Sequence, residues 1–470
     1  MGGLFGVISK NRCVTDLFYG TDYHSHLGTK RGGMAGINPD GSFVRAIHSL
    51  KQSYFRVKFE SELHKFTGNS GIGVISDNES QPIVMNSHLG RFAAVSVAKV
   101  SNIDSLEQQV LDSGKNFTEM SDGTTNATEL ICHLITEGAT FAEGIEYMHH
   151  KVYGSCSILL LTPEGIIAAR DFNGRTPLVI GKKEDAYAVA NEDFSFCNLG
   201  YEKCYELGPG EAVLITADGF KQILEPRGRL HICSFLWIYY GYPSAAYEGV
   251  NVDDVRYNLG SLMGKQDDTP VDIVSSIPDS GTCMAIGYAQ GRGIPYRNAV
   301  VKYTPTWPRS FMPADQSMRD VVAKMKLIPN YSIMRGRSVA FCDDSIVRGT
   351  QLRDNVEAFK SHGSREVHIR ISCPPLIFTC PFLNYSASKS PLEFISRRVI
   401  EKLEGSHDKH LQEYAMFGSD KYFAMVDCIR KQLKMNTLKF NTVENLVAAI
   451  GLEKNCICTH CFDGSDKCVI

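Results

Sequence analysis

Residues 339–350 read Val339-Ala-Phe-Cys-Asp-Asp-Ser-Ile-Val-Arg-Gly-Thr350. The stretch Ser338-Val-Ala-Phe-Cys342 has the composition of a buried strand, and two carboxylates, Asp343 and Asp344, follow at its C-terminal end. A loop of Ser, Gly and Thr then opens a helix in which Leu352, Val356 and Phe359 share one face. Gly363 can cap that helix, and Glu366-Val-His-Ile-Arg-Ile371 restores a strand, so the segment predicts one βαβ unit of a parallel sheet. Such a loop has a physical use. Backbone N–H groups of Ser345, Ile346, Val347, Arg348, Gly349 and Thr350, with the hydroxyls and the helix N-terminus, can cradle a phosphate monoester. Asp343 and Asp344 can accept hydrogen bonds from ribose hydroxyls or hold a hydrated Mg²⁺. An isolated pair of aspartates would read as solvated acids at a strand end. The full twelve-residue string favours the phosphate reading.

Working outward, the grammar on either side differs. From about Cys233 to residue 375 the order strand, loop, helix, strand repeats: Val271-Asp-Ile-Val274 leads through Pro278-Asp-Ser-Gly281 into a helix rich in Ala, Gly and Met. Before residue 230 short strands and hairpins dominate. Gly154–Thr162 and Ile166–Arg170 are joined by Pro163-Glu164-Gly165, Thr176–Gly181 follows the turn Asp171-Phe-Asn-Gly174, and Thr128–Glu137 is a predicted helix. That is an antiparallel α+β pattern. The last hundred residues read as helical. The division falls at residues 1–231 and 232–470, in keeping with a chain of 470 residues.

Composition limits the function classes. With 43% hydrophobic and 21% charged residues the chain can build large cores, which excludes a fibrous or disordered protein. A formal charge of −3 offers no electrostatic case for nucleic acid or anionic membrane as partner. No apolar run reaches membrane-spanning length, and the N-terminal Met1-Gly2-Gly3-Leu4-Phe5-Gly6 lacks the pattern of a signal peptide. Fifteen cysteines, an odd number, point to a reducing compartment and a cytoplasmic protein rather than a disulfide framework.

The string ending Asp-Asp-Ser-Ile-Val-Arg-Gly-Thr resembles the 5-phosphoribosyl 1-pyrophosphate (PRPP) signature of type I phosphoribosyltransferases, in the form found in glutamine PRPP amidotransferases. Ile277-Pro-Asp-Ser-Gly281, Ala285-Ile-Gly-Tyr-Ala289 and Gly293-Ile-Pro-Tyr-Arg297 resemble the family's pyrophosphate-side loop and the helix after it. Arg319, Lys324-Met-Lys-Leu327 and Val367-His-Ile-Arg-Ile-Ser-Cys-Pro-Pro375 resemble later landmarks. Arg170-Asp171, Arg175-Thr-Pro-Leu178 and Pro209-Gly-Glu211 resemble landmarks of the N-terminal half. The likeness covers nearly the whole chain. It implies an α+β Ntn-hydrolase-like (αββα) glutaminase domain followed by an α/β type I phosphoribosyltransferase domain, in a homo-oligomer. It further implies PRPP binding by Asp279, Ser280, Gly281, Asp343, Asp344 and residues 345–350, with Mg²⁺ at the aspartate pair. In the family's mobile lid this chain has Lys302-Tyr303-Thr304-Pro305-Thr306-Trp307-Pro308-Arg309-Ser310-Phe311, where Thr304 replaces an Arg. Lys302 and Arg309 remain as cations to neutralise pyrophosphate.

The N-terminal half departs from the family. Its nucleophilic Cys falls on Gly2, and the nearest cysteine, Cys13, is too far along the first hairpin. The Arg that would clamp glutamine falls on Ser76, the oxyanion Asn-Gly on Val97-Ala98, and the Asp for the α-amino group on Ala127. Arg31-Gly32 survives. These losses predict a glutaminase fold that neither holds nor cuts glutamine. The nitrogen for PRPP would come from ammonia or another amine, supplied from solution or by a separate glutaminase, in an opening step of purine synthesis. The alternative is a non-catalytic PRPP- or nucleotide-binding regulator or partner subunit of an active relative. An ordinary glutamine-dependent enzyme would need Gly2 to be compensated.

The C-terminal Asn455-Cys-Ile-Cys-Thr-His-Cys-Phe462 contains a C-x-x-C pair that zinc, redox and iron–sulfur sites all use. In the family's iron–sulfur subgroup the cysteine positions correspond to Cys233, Cys380, Cys458 and Cys461, which implies a structural [4Fe–4S] cluster. The competing reading is a local Zn²⁺ site of Cys456, Cys458, Cys461 and Cys468.

Overall fold

A computed structural model of the chain describes residues 2–303, 327–384 and 390–465. Residues 2–224 build two antiparallel sheets. The first has seven strands in the order Glu202–Glu206, Val179–Lys183, Ala186–Ala190, Gly2–Ser9, Ser70–Ser76, Arg31–Ile37 and Phe43–Ser49. The second has six, in the order Phe220–Leu224, Ala212–Ile215, Gly165–Ala169, Gly154–Thr162, Gly90–Val100 and Ile83–Ser87. Alternation along a strand explains how both faces are used. On Gly2–Ser9, Leu4 and Ile8 join Val74, Val95, Leu159 and Val189 between the sheets. Phe5 and Val7 point the other way, to Leu17 and Phe18 of the helix Val14–Tyr23. On the far face of the second sheet, Phe92, Ile158 and Leu160 meet Leu130, Ile131 and Leu134 of the helix Ala127–Ile135 and Ile145 and Met148 of the helix Phe141–Lys151. The result is four layers, helix–sheet–sheet–helix. Strands buried on both faces read as continuous apolar runs, and that is how Gly154–Thr162 reads.

The C-terminal half carries a parallel sheet in the order Ile273–Ser276, Ser338–Asp343, Glu366–Ile371 and Thr437–Phe440. The predicted βαβ unit is present, with its helix at Thr350–Ser361. Two expectations shift. The strand expected at 176–181 is observed at Val179–Lys183, because Pro177 has no N–H for the ladder. The C-terminal hundred residues are not all helical: Thr437–Phe440 is the fourth strand of the sheet, and Ile457–Cys458 pairs in parallel with Ile232–Cys233. Runs of two to four residues are too short for periodicity to identify.

One packing feature sets the geometry of this half. The helix Val252–Gln266 lies against the helix Thr282–Arg292 almost backbone to backbone. A Cβ added at Gly260 would stand 2.0 Å from the Met284 carbonyl oxygen, and one at Gly287 would stand 2.0 Å from that of Tyr257. Any side chain at either position pushes the helices apart. Among the described residues no helix is long and apolar enough to cross a membrane. Gly260→Ala is therefore expected to destabilise the protein by about 1–3 kcal/mol through overpacking. The urea midpoint should fall, and an unchanged midpoint would contradict the contact.

Candidate functional site

At the C-terminal ends of Ile273–Ser276 and Ser338–Asp343 two loops converge. The Ile277 N–H donates to the Cys342 carbonyl at 2.9 Å. A Cβ on Gly281 would sit 2.3 Å from that same oxygen, so only glycine permits the approach. This close contact brings the Ser280 side chain into hydrogen bonding with Asp344, whose other partner is the Ser345 hydroxyl at 2.5 Å. The Lys302 ammonium is salt-bridged to Asp279. Asp279, Ser280, Gly281, Lys302, Asp343 and Asp344, separate in sequence, thus form one group.

The phosphate-loop candidate owes its shape to its apolar residues. Ile346 is buried in the core, and the Val347 carbonyl accepts from the Ile395 N–H at 2.8 Å. Arg348 turns outward, where its Nε donates to Glu393 at 2.9 Å, and its carbonyl accepts from Arg398 at 2.5 Å. Gly349 has φ +76°, a left-handed conformation that glycine adopts freely, and no side chain caps the helix Thr350–Ser361. Its first N–H groups are left for an anion. Burial pushes the carboxyls of both Asp343 and Asp344 above the ordinary range. The charge of Asp344 adds to the effect on Asp343, while Ser280, Ser345 and the Arg256 guanidinium oppose it at Asp344. Two adjacent acids, Asp344 buried and Asp343 half-buried, are suited to a cation or to hydroxyl donors. Arg309, the second lid cation, lies outside the described residues, as do Thr304, Trp307, Arg319, Lys324 and Cys468.

In the N-terminal half, Gly2 pairs with Ser76 across neighbouring strands. Gly2, Ser76, Glu79, Val97, Ala98 and Asn384 line a cavity of about 20 Å³. That is room for about one water. The sequence positions read as lost glutamine contacts are thus in one place, with Ala127 alone outside the lining. A Cβ at Gly2 would stand 2.6 Å from the Ile75 carbonyl oxygen. Arg31, paired with Ser76 on the other side, is committed to Ser80 and Asp122, both at 2.6 Å. Cys13 sits beyond the far end of the strand Gly2–Ser9, and burial pushes its thiol up to about 12. It is neither near the cavity nor ionised.

Cys233, Cys380, Cys458 and Cys461 also converge. Cys233 and Cys458 are directly opposite in the parallel pair. The Cys461 thiol is hydrogen-bonded to Cys380, which raises its pKa and lowers that of Cys380, and it faces Cys233 and Cys458. The carbonyl of Cys461 accepts from Ile377 and Phe378 at 2.9 and 3.1 Å, tying the tail to the segment that carries Cys380. Among the described residues no three His, Cys, Asp or Glu side chains are grouped closely enough for a single metal ion. Cys456 instead donates to Asn455 at 3.3 Å. The four cysteines are thus neighbours, and thiolates are ligands that both iron–sulfur and zinc groups use.

Sequence reasoning missed several groups. Lys99 Nζ and Ser101 Oγ donate to the carbonyls of Cys380 and Pro381, both at 2.5 Å, and Asn384 donates to the Ala98 carbonyl at 3.3 Å. Buried Glu192 lies 2.7 Å from His26, accepts from the Tyr247 hydroxyl, and accepts from the Tyr242 N–H at 3.2 Å. All but the Glu192–His26 contact join the two halves, and no local pattern announces a contact across that many residues.

Comparison with known proteins agrees with this architecture. A family model described as a glutamine amidotransferase domain matches residues 69–198. The amidophosphoribosyltransferase of Bacillus subtilis (strain 168) is 30% identical over 478 residues, covering 98% of this chain and 93% of its own. That of Methanothermobacter thermautotrophicus is 27% identical with the same coverage. Among solved structures, the glutamine PRPP amidotransferase from B. subtilis complexed with ADP and GMP matches with a TM-score of 0.83 at 28% identity, over 98% of this chain and 96% of that one. The likeness therefore runs through both halves, an Ntn-type αββα glutaminase domain and a phosphoribosyltransferase domain, and the chain belongs to the amidophosphoribosyltransferase family.

Proposed function

We propose that this protein transfers ammonia to PRPP, giving 5-phosphoribosylamine and pyrophosphate in purine nucleotide synthesis, without a working glutaminase of its own. The observation that carries the reading is an asymmetry. The phosphate loop, Asp279–Gly281 and Lys302 lie together, while the cavity at Gly2 has no cysteine in its lining and room for about one water. The N–H groups of residues 345–350 receive the 5-phosphate, and Asp343 and Asp344 orient the ribose. The same two carboxylates would hold Mg²⁺, which when bound neutralises charge on the pyrophosphate. Lys302, now on Asp279, is placed to follow the departing pyrophosphate. The nitrogen lone pair attacks the anomeric carbon, the carbon–oxygen bond to pyrophosphate breaks with its electron pair leaving on oxygen, and the nitrogen then loses a proton. The nitrogen arrives from solution or from a separate glutaminase.

Cys233, Cys380, Cys458 and Cys461 would hold a [4Fe–4S] cluster whose role is structural, fastening the C-terminal tail to the segment that meets the N-terminal half. A second reading, a PRPP-binding regulator that partners an active relative, draws on the engagement of Lys302 with Asp279.

Pyrophosphate release separates the readings. With PRPP and Mg²⁺, ammonium is expected to support release and glutamine alone is not; binding of PRPP without release in either case would favour the regulator. Gly2→Cys is not expected to restore glutamate formation from glutamine, because the Cβ meets the Ile75 carbonyl and Ser76, Val97, Ala98 and Ala127 remain. Gly281→Ala should weaken Mg–PRPP binding by tenfold or more in a calorimetric titration, on the order of 1.4 kcal/mol. Anaerobically purified protein should be brown with iron and sulfide in near-equal amounts, and Cys380→Ser should lose both. A colourless, zinc-loaded preparation would exclude the cluster.

A further inference from the structure

Arg256 lies in the second turn of the helix Val252–Gln266 and is 4% exposed. Its Nε donates to the Trp237 carbonyl at 2.8 Å and its Nη2 to the Gly241 carbonyl at 2.9 Å. Both acceptors are neutral. Three other buried arginines rest on carboxylates: Arg170 lies 2.6 Å from Glu248, Arg397 lies 2.5 Å from Asp408, and Arg370 is paired with Asp267, while Arg175 lies over the Phe382 ring at 3.5 Å. Among the described residues no carboxylate bonds Arg256. Burying a cation without a bonded counter-charge is unfavourable, and burial accordingly depresses its pKa.

The position of this charge is not accidental. The backbone contact at Gly260 and Gly287 fixes the helix of Arg256 against the helix Thr282–Arg292, whose first turn follows directly on Asp279–Gly281. The groups near the guanidinium come from that end: Asp344 at the strand end, Asp253 one turn away on its own helix, and two uncharged groups, the Cys283 thiol, which burial pushes up to about 12, and the Tyr247 hydroxyl. Cys283 is itself hydrogen-bonded to Asp253, so neither is spent on Arg256. The Cys283–Asp253 hydrogen bond and the contact of Gly260 with Met284 thus set Arg256 beside the first turn of the helix that follows the Asp279–Gly281 loop, a helix whose N-terminus no side chain caps.

We propose that Arg256 is a positioning residue for the pyrophosphate moiety of the substrate: a permanent positive charge beneath the Asp279–Gly281 loop that favours a polyanion there. The inference rests on the reading that PRPP binds between this loop and residues 345–350. The carbonyls of Trp237 and Gly241 hold the guanidinium in place, and the field reaches the ligand through the loop without direct contact. A unit charge acting over several ångströms at an effective dielectric of about 20 changes binding by roughly tenfold or more.

Calorimetric titration of the full-length protein with three probes tests this: PRPP, inorganic pyrophosphate and ribose 5-phosphate, each with Mg²⁺. In Arg256→Met, which keeps volume and drops charge, the affinities for PRPP and pyrophosphate should fall tenfold or more. That for ribose 5-phosphate, which reaches the 345–350 loop alone, should stay within about threefold. Arg256→Lys, which keeps the charge without the forked hydrogen bonds, should restore pyrophosphate affinity to within about threefold of the native protein. A purely structural clamp predicts the opposite: Met and Lys variants falling together, for all three probes, with a lowered melting temperature. That result would overturn the proposal, as would native pyrophosphate affinity in Arg256→Met. If Arg256→Met does not fold, Arg256→Gln against Arg256→Lys gives the same comparison. Failure of the native protein to bind PRPP would overturn the underlying reading too, whereas native PRPP binding with an indifferent Arg256→Met removes this inference alone.

Discussion

The constraint on which the C-terminal half depends is the distance between two helix backbones. With Gly260 against Met284 and Gly287 against Tyr257, the helices Val252–Gln266 and Thr282–Arg292 move as one body. Their orientation against the sheet is set at the other end by Asp267, just past the first helix. Asp267 is paired with Arg370 of the strand Glu366–Ile371 and with Lys439 at 2.8 Å, and it accepts from the Tyr288 hydroxyl at 2.6 Å. Burial acts to raise the Asp267 carboxyl, but Arg370 and these donors hold it well below the usual range. A buried acid with this many partners has one geometry that satisfies them all. The loop at 279–281 inherits that geometry, and with it the distance to Asp343 and Asp344.

A second set of carboxylates, Glu192 buried and Asp193 and Glu206 half-buried, joins the halves. Glu192 accepts from Tyr242 and Tyr247, Asp193 accepts from the Ala246 N–H at 3.0 Å, and Glu206 accepts from the Glu248 N–H at 3.0 Å. Glu248 in turn pairs with Arg170. These acids belong to the antiparallel domain, and the segment they hold, 242–248, lies next to the carbonyls that fix Arg256. Removing one partner of such a contact strands the other without water, which makes the seam strict in its alignment. The arrangement of the phosphate site is thereby tied to a domain that contributes no residue to it.

The parts of this structure that were legible in sequence are those whose information is local. Ser338–Thr350 contains a strand, its terminal acids and a helix start in a single run, and the strand and helix stand on either side of the loop as expected. Strands such as Gly154–Thr162 and the helix Ala127–Ile135 carry enough apolar residues, or a cap such as Asn126, to be read within a residue or so. Thr437–Phe440 and Ile457–Cys458 are strands because of what lies beside them, and four residues or fewer hold no period. Arg256 is legible only as one cation on a helix. Its neighbours Trp237, Gly241 and Asp344 are brought to it by packing, and nothing in the residues around position 256 encodes them.

The same distinction accounts for the fate of the two sites. On the proposed reading the phosphate loop would work chiefly through main-chain N–H groups, so its capacity needs only its glycines, core anchors such as Ile346 and the helix start. A glutamine pocket works through side chains that must bring charge and a nucleophile into a half-buried place. Gly2, Ser76, Val97, Ala98 and Ala127 bring neither, yet each fits its strand or helix: Gly2 pairs with Ser76, Val97 and Ala98 continue the ladder to Ser157 and Cys156, and Ala127 opens a helix. Backbone pairing does not require the reactive side chains. On the proposed reading, small neutral groups in place of buried charges also remove a desolvation penalty, so the αββα layers would have no energetic reason to collapse. The fold persists because the C-terminal half leans on it through Glu192, Asp193 and Glu206.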